Sequence, residues 1–180
     1  MTDQKEPMDV WTAIVTQRAV RRFSDRAIAD ADLQRILDAG RRAPSSKNTQ
    51  PWEFVVVTDR EQLHRLSATG RYAGHLAGAT VAVVFVTDDP ANPEALAKVL
   101  YDVGHATQSM MLVGVELGIG SVHAAIYDRG LAAQILGLPP GRRADFAISL
   151  GYPARQGLLD HPRQKVPRRP LDELVHRDRW

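Results

Sequence analysis

Apolar positions along the chain follow two rhythms. "MDVWTAIVTQRAV" places Val10, Trp11, Ile14 and Val15 at helical spacing, on one face of a short helix. "IADADLQRILDAGRRA" repeats that rhythm, with Leu33, Ile36 and Leu37 facing inward. Asp30 or Asp32 is placed to cap it, and Gly40 to weaken its end. "EFVVVTD" and "TVAVVFVTD" are unbroken apolar runs rich in valine, the signature of strands covered on both faces. Between them Asp59 can cap the helix "REQLHRLSA". A long helical pattern then runs from Asn92 to Gly118 with little charge after Asp102. So few polar positions imply burial on nearly all sides, part of it against another subunit. "GSVHAAI" suits a short strand, "YDRGLAAQILGL" a fifth helix and "ADFAISLGYP" a further buried strand.

The predicted order is α, α, β, α, β, long α, β, α, β. It describes an α+β layered fold, a small mixed sheet covered by helices. After Pro153 the pattern changes. "ARQGLLDHPRQKVPRRPLDELVHRDRW" is basic, proline-bearing and without a long apolar face. It is expected to be an extended arm over residues 156–180, lying on another surface, within a single domain spanning 1–180.

Composition narrows the function more than the fold. The chain has 180 residues, 44% hydrophobic and 24% charged, and a net charge of +2. So small a charge argues against a dedicated nucleic-acid binder. The longest apolar run is too short to cross a bilayer, and the first residues lack the apolar core of a signal peptide. There is no cysteine, which removes disulfides, thiolate catalysis and zinc–thiolate sites and fits a reducing cytoplasm. The six histidines show no metal-ligand spacing.

Three groups of residues could carry chemistry. Arg18, Arg21 and Arg22 follow the first helix, and Arg163, Lys165, Arg168 and Arg169 lie in the arm. Guanidinium binds phosphate oxygens through paired, charge-assisted hydrogen bonds, so two arginine groups would suit a phosphate. They read equally well as a solvated face. The loop "APSSKNTQPW" supplies neutral donors and acceptors suited to the edge of an uncharged heterocycle, with Trp52 or an apolar wall beside it. The plainer reading is a hydroxyl turn capping the preceding helix. In "GIGSVHAAIYD", Gly118 can end the long helix in the left-handed conformation, and Gly120 lets backbone approach a ligand. His123 is a candidate acid or ligand. Asp102 and His105, three apart on one helix, could meet. No nucleophile elbow or carboxylate pair is present, which fits an enzyme whose cofactor does the chemistry.

Taken in order, "RAVRRF", "APSSKNTQPWEFVVV", "ELGIGSV", "ISLGYP" and "RRPLDELV" resemble the landmarks of the FMN-dependent nitroreductase family, over roughly Val10 to Val175. The resemblance implies a three-layer α+β fold in an intertwined homodimer with an extended C-terminal arm. Two FMN molecules would lie at the interface. It implies that Arg18 and Arg21 hold the FMN phosphate, with Ala19 and Val20 giving backbone contacts. One of Arg168 and Arg169 would complete that site. Pro44, Ser45, Ser46 and Asn48 would reach the flavin from the partner chain. Val122, His123, Ala124 and Ala125 would run along the ring near N5 and O4, and Arg71 would reach the pyrimidine edge.

The chain departs from the family pattern in three ways. Gln17, Ala19 and Arg21 stand where Arg-x-Ser-x-Arg is frequent. Ala125 stands where some members carry an acid. The insertion that often forms a substrate lid is missing. The implied activity is NAD(P)H-dependent reduction of a small-molecule acceptor (nitroaromatic, quinone or enone) by a ping-pong cycle. The alternatives are specialised flavin chemistry on the same fold (dehalogenation, flavin cleavage, azoline oxidation) or a non-enzymatic flavin carrier.

Overall fold

Helices and strands alternate along the chain, joined by short turns. The structure is a computed structural model that describes residues 8–162 and 168–180. The elements are α1 (Val10–Thr16), α2 (Asp30–Arg41), β1 (Glu53–Val57), α3 (Arg60–Leu66), β2 (Val81–Asp88), α4 (Pro93–Glu116), β3 (Gly120–Ala125), α5 (Arg129–Leu136) and β4 (Arg142–Gly151). Short 3-10 turns cover Ser46–Asn48, Ser67–Thr69, Ala73–Gly78 and Leu171–Glu173. The order is the one the apolar pattern predicts. Asp59, Asn92 and Asp128 start α3, α4 and α5 by accepting from the backbone N–H three residues on, at 2.8–2.9 Å. Gly118, at φ +73°, ends α4 as expected.

The sheet has four strands in the order β1-β2-β4-β3. Its pairings are all antiparallel, not mixed as expected. The strands β2 and β3 do run the same way, as a helical crossover dictates, but β4 is inserted between them in the opposite sense. Parallel pairing among the described residues is confined to one bridge, Ala19 to Ser121, on the outer edge of β3.

Alternation along β2 builds two cores. Val81, Val83 and Phe85 pack with α2 and α4, among Ile36, Val103 and Met110. Ala82, Val84 and Val86 pack on the other face with α3, the Ala73–Gly78 turn and α5, among Leu63, Leu66, Leu76 and Ala132. The result is helix, sheet, helix. Strand β2 is buried almost throughout, as expected. Strand β1 is not, because it ends the sheet.

Other expectations need correction. Helix α2 is capped by Ala29 without a side-chain bond, and Asp30 and Asp32 sit in its first turn, where negative charge suits the helix dipole. Gly40 serves close packing: a Cβ there would lie 2.1 Å from Met110 Cε, so α4 approaches α2 at that point. Trp52 is taken into the core. Helix α1 buries Ala13 and Thr16 and turns Val10, Trp11 and Ile14 outward. Among the described residues no helix is long and apolar enough to cross a membrane.

Candidate functional site

The segment after α1 continues as a strand along the sheet edge. Val20 N–H donates to Ser121 O at 3.0 Å, Ser24 N–H to Tyr152 O at 2.9 Å, and Ala154 N–H to Arg22 O at 3.0 Å. Two glycines make this possible. A Cβ on Gly120 would come within 2.6 Å of Val20, and one on Gly151 within 2.8 Å of Phe23. Gly120 therefore admits the chain's own Val20, where the sequence suggested a ligand.

This arrangement delivers Arg21 and Arg22 to an open cleft of about 550 Å³, whose other walls are Arg71, Tyr72, Gly74, His75 and His123. Among the described residues, none of Arg21, Arg22 and Arg71 forms an ion pair with a carboxylate. Three guanidinium groups without carboxylate partners line one cavity, a positive surface of the kind that attracts anions. A second cavity, between α2 and β1, has its charge already settled. Asp38 there is bonded to Arg41 and Arg42, which hold its carboxyl below the usual carboxylate range.

The edge of β3 borders the cleft. Ile126 N–H donates to Asp145 O on the β4 side, whereas Ser121 O accepts Val20 from outside. Alternation then turns the N–H and C=O of Ser121, His123 and Ala125 outward, and those of Val122 and Ala124 toward β4. Of the stretch Val122–Ala125, it is His123 and Ala125 that can offer backbone donors. The His123 ring is exposed, yet the protein packed around it holds its pKa below the ordinary value.

His75 carries no signal in the sequence, where "AGHLAGA" reads as a loop. In the structure it is buried at the cleft wall, with Nε2 3.1 Å from His123 O and Nδ1 2.9 Å from Ser149 Oγ. A carbonyl only accepts, so Nε2 carries the proton and the Ser149 hydroxyl donates to Nδ1. Burial pushes the His75 pKa down, and the charges of Arg21 and His123 push the same way.

The loop from Pro44 to Gln50 lies elsewhere, over α4 on the opposite face of the sheet. Ser46 N–H donates to both carboxylate oxygens of buried Asp102 at 3.1 Å. Ser45 Oγ accepts from Gln50 N–H at 2.9 Å. Lys47, Asn48 and Gln50 all hold positive φ, at 52°, 57° and 48°. Such backbone is uncommon outside glycine and persists where neighbours impose it. Asp102 thus holds the loop, while His105 packs edge-on against Tyr101 at 4.5 Å, and the two do not pair.

Of the sequence-predicted residues, the structure brings together Arg21, Arg71, His123 and the β3 edge, with Ala19 and Val20 behind them. It does not bring Pro44, Ser45, Ser46 or Asn48 to the same chain's cleft. Arg18 is spent on backbone carbonyls, those of Thr16 and His161. Arg169 bonds Glu173 in the arm, and Arg168 is exposed there. Arg163 and Lys165 lie outside the described residues.

Comparison with known proteins gives a consistent result. The model of the nitroreductase family matches residues 14–69 and 62–152. A protein of Archaeoglobus fulgidus, named as a candidate NADH dehydrogenase/NAD(P)H nitroreductase, is 33% identical over 171 residues, covering 93% of this chain and 96% of its own. The solved structure of an FMN-dependent nitroreductase from Clostridium difficile R20291 superposes with a TM-score of 0.77 at 26% identity, covering 93% of this chain and 99% of its own. That of an NADPH:FMN oxidoreductase from Vibrio harveyi, complexed with NAD+, gives 0.82 at 25% identity, covering 95% and 77%.

Proposed function

The chain belongs to the nitroreductase family, as an NAD(P)H-dependent oxidoreductase with FMN as its cofactor, and on that premise we propose that it reduces nitroaromatic, quinone or enone acceptors. The observation that carries this reading is the cleft: three guanidinium groups without carboxylate partners beside a strand edge with outward amides. Arg21, with Arg22 beside it, would hold the phosphate, and Arg71 would reach the pyrimidine edge. The N–H groups of His123 and Ala125 orient the ring edge, which offers acceptors. Bound there, FMN supplies a centre that takes hydride from reduced nicotinamide and returns it to the acceptor. No side chain in the cleft is needed as a nucleophile.

The working unit we propose is a homodimer. Within one chain the Pro44–Asn48 loop and the cleft lie on opposite faces of the sheet, which supports the reading that the loop serves another copy's cleft. The outward Val10, Trp11 and Ile14 of α1, Tyr101 of α4 and Leu171, Leu174 and Val175 of the arm are the apolar surface such a partner would cover. The arm would bring Arg168 or Arg169 to a phosphate site, while Arg18, bonded to the Thr16 and His161 carbonyls, keeps the base of the segment in place.

Absorption spectroscopy tests the reading. Purified protein with added FMN should retain it after desalting, and anaerobic NADH or NADPH should bleach the flavin band. Re-addition of a quinone or nitroaromatic should restore it. Protein that holds no flavin at saturating FMN, or whose flavin neither nucleotide reduces, would overturn it.

A further inference from the structure

An edge strand ordinarily presents donors and acceptors in equal number. The outer edge of β3 does not. Of its outward carbonyls, those of Ser121 and His123 are hydrogen-bonded and that of Ala125 is covered. Val20 N–H occupies Ser121 O at 3.0 Å. His75 Nε2–H occupies His123 O at 3.1 Å. Gly70 backs onto Ala125 O, so close that a Cβ there would stand 2.1 Å from it. The amides of His123 and Ala125 have no such partner among the described residues.

We propose that His75 is a positioning residue: by capping the His123 carbonyl it turns the edge of β3 into a surface of donors alone and fixes the angle at which the His123 and Ala125 amides meet a bound ring. The proposal rests on the flavin reading above for the identity of that ring. His75 sits at the middle of the three masked carbonyls, and its removal would leave an acceptor beside the ring and one fewer tie on the strand. Ser149, from the next strand, sets its tautomer. With the Ser149 hydroxyl donating to Nδ1, the proton stays on Nε2, facing His123 O. The low pKa of His75 agrees with a ring kept neutral among Arg21, Arg22, Arg71 and His123, the charged or titratable groups around it. On the β4 side the Ser149 hydroxyl meets Nδ1.

Two polar variants separate positioning from bulk packing. In His75→Gln the amide nitrogen reaches the place of Nε2 and can still donate to His123 O. In His75→Asn the side chain is one methylene shorter and reaches only the place of Nδ1. Hydrogen exchange of the β4-paired amides of Val122 and Ala124 in flavin-free protein should quicken about tenfold in His75→Asn, the size of one lost hydrogen bond, and stay near wild type in His75→Gln. With FMN added, His75→Asn should lower the flavin midpoint potential and weaken binding about tenfold, while His75→Gln keeps both. Equal behaviour of the two variants in exchange and in potential would overturn the proposal. Because the exchange measurement needs no flavin, wild-type protein that fails to bind FMN overturns the functional reading without deciding the role of His75.

Discussion

The Pro44–Gln50 loop and the arginine cleft are held in opposite ways. In the loop, Asp102 takes the Ser46 amide, Ser45 takes the Gln50 amide, and three non-glycine residues are forced to positive φ. Its conformation is over-determined by its own chain. In the cleft, Arg21, Arg22 and Arg71 line one cavity without carboxylate partners among the described residues, and the backbone behind Arg21 and Arg22 is fixed. A rigid polar loop and a cluster of cations are two halves of one description. The loop is shaped in advance for a ligand it does not meet in its own chain. The cleft gathers positive charge that its own chain leaves without carboxylates.

The largest effect tests whether those halves meet across chains. Dimers mixing Arg21→Ala and Asn48→Ala subunits would have one site with both lesions and one with neither. If each lesion nearly abolishes NAD(P)H oxidation in its homodimer, the mixture should recover about half of wild-type activity per dimer, because sites that do not couple act independently. Heterodimers confirmed by mass but inactive would place both residues on the same chain's site and dissolve the comparison.

Charge is the next distinction. Arg21→Ala should weaken FMN by about 1.5–3 kcal/mol, roughly 10–150-fold, the range of a charge-assisted bond. Riboflavin, without a phosphate, should lose far less. Calorimetry with both ligands checks this, and equal losses would make Arg21 a residue of folding.

The loop should show no such selectivity. Asp102→Ala strips the Ser46 amide of its acceptor at a buried site and should cost about 1–3 kcal/mol. At about 2–4 °C per kcal/mol for a chain of this size, the melting temperature should fall accordingly. FMN and riboflavin should weaken alike, since neither meets Asp102. A selective loss of FMN would mean that the loop reads the phosphate.

The smallest effect is a slope with pH. The folded pKa of His75 is depressed by burial, so below the unfolded value of about 6.5 the unfolded chain binds a proton more readily than the folded one. Stability associated with this group is therefore complete above that pH and declines as pH falls toward the folded value. Denaturant titrations from pH 7.5 to 5 should show a shallower decline in His75→Gln. An unchanged slope would assign the decline to other groups.

Much of this was legible in the sequence, and what was missed shares one cause. Element order, the Asp59 cap and the Gly118 stop are local matters, written within a few residues of where they act. The direction of the α1 face was not legible, because helical spacing shows that Val10, Trp11 and Ile14 cluster but not what they face. Gly40 and Gly120 looked like a helix end and a ligand contact. Each instead makes room for a side chain distant in sequence, Met110 and Val20. The antiparallel sheet depends on β4 slipping between β2 and β3, which no run of residues announces. His75 was invisible for the same reason: its meaning lies in the His123 carbonyl and the Ser149 hydroxyl, on two strands far along the chain.

The ties that fix the Arg21–Arg22 segment also bear on the order of events during synthesis. Ser24 is bonded to Tyr152, across 128 residues of chain. Arg22 receives the amide of Ala154, and Val20 donates to Ser121. Contacts of such long separation close late, since the entropy of a long loop is lost before they return anything. A nascent chain can therefore form the helices of its early half while Arg21 and Arg22 still hang loose. They settle only after β4 has left the ribosome. Flavin added to chains truncated before Tyr152 should find the polypeptide but no anion site, so cofactor capture comes at the end of folding and cannot template its beginning.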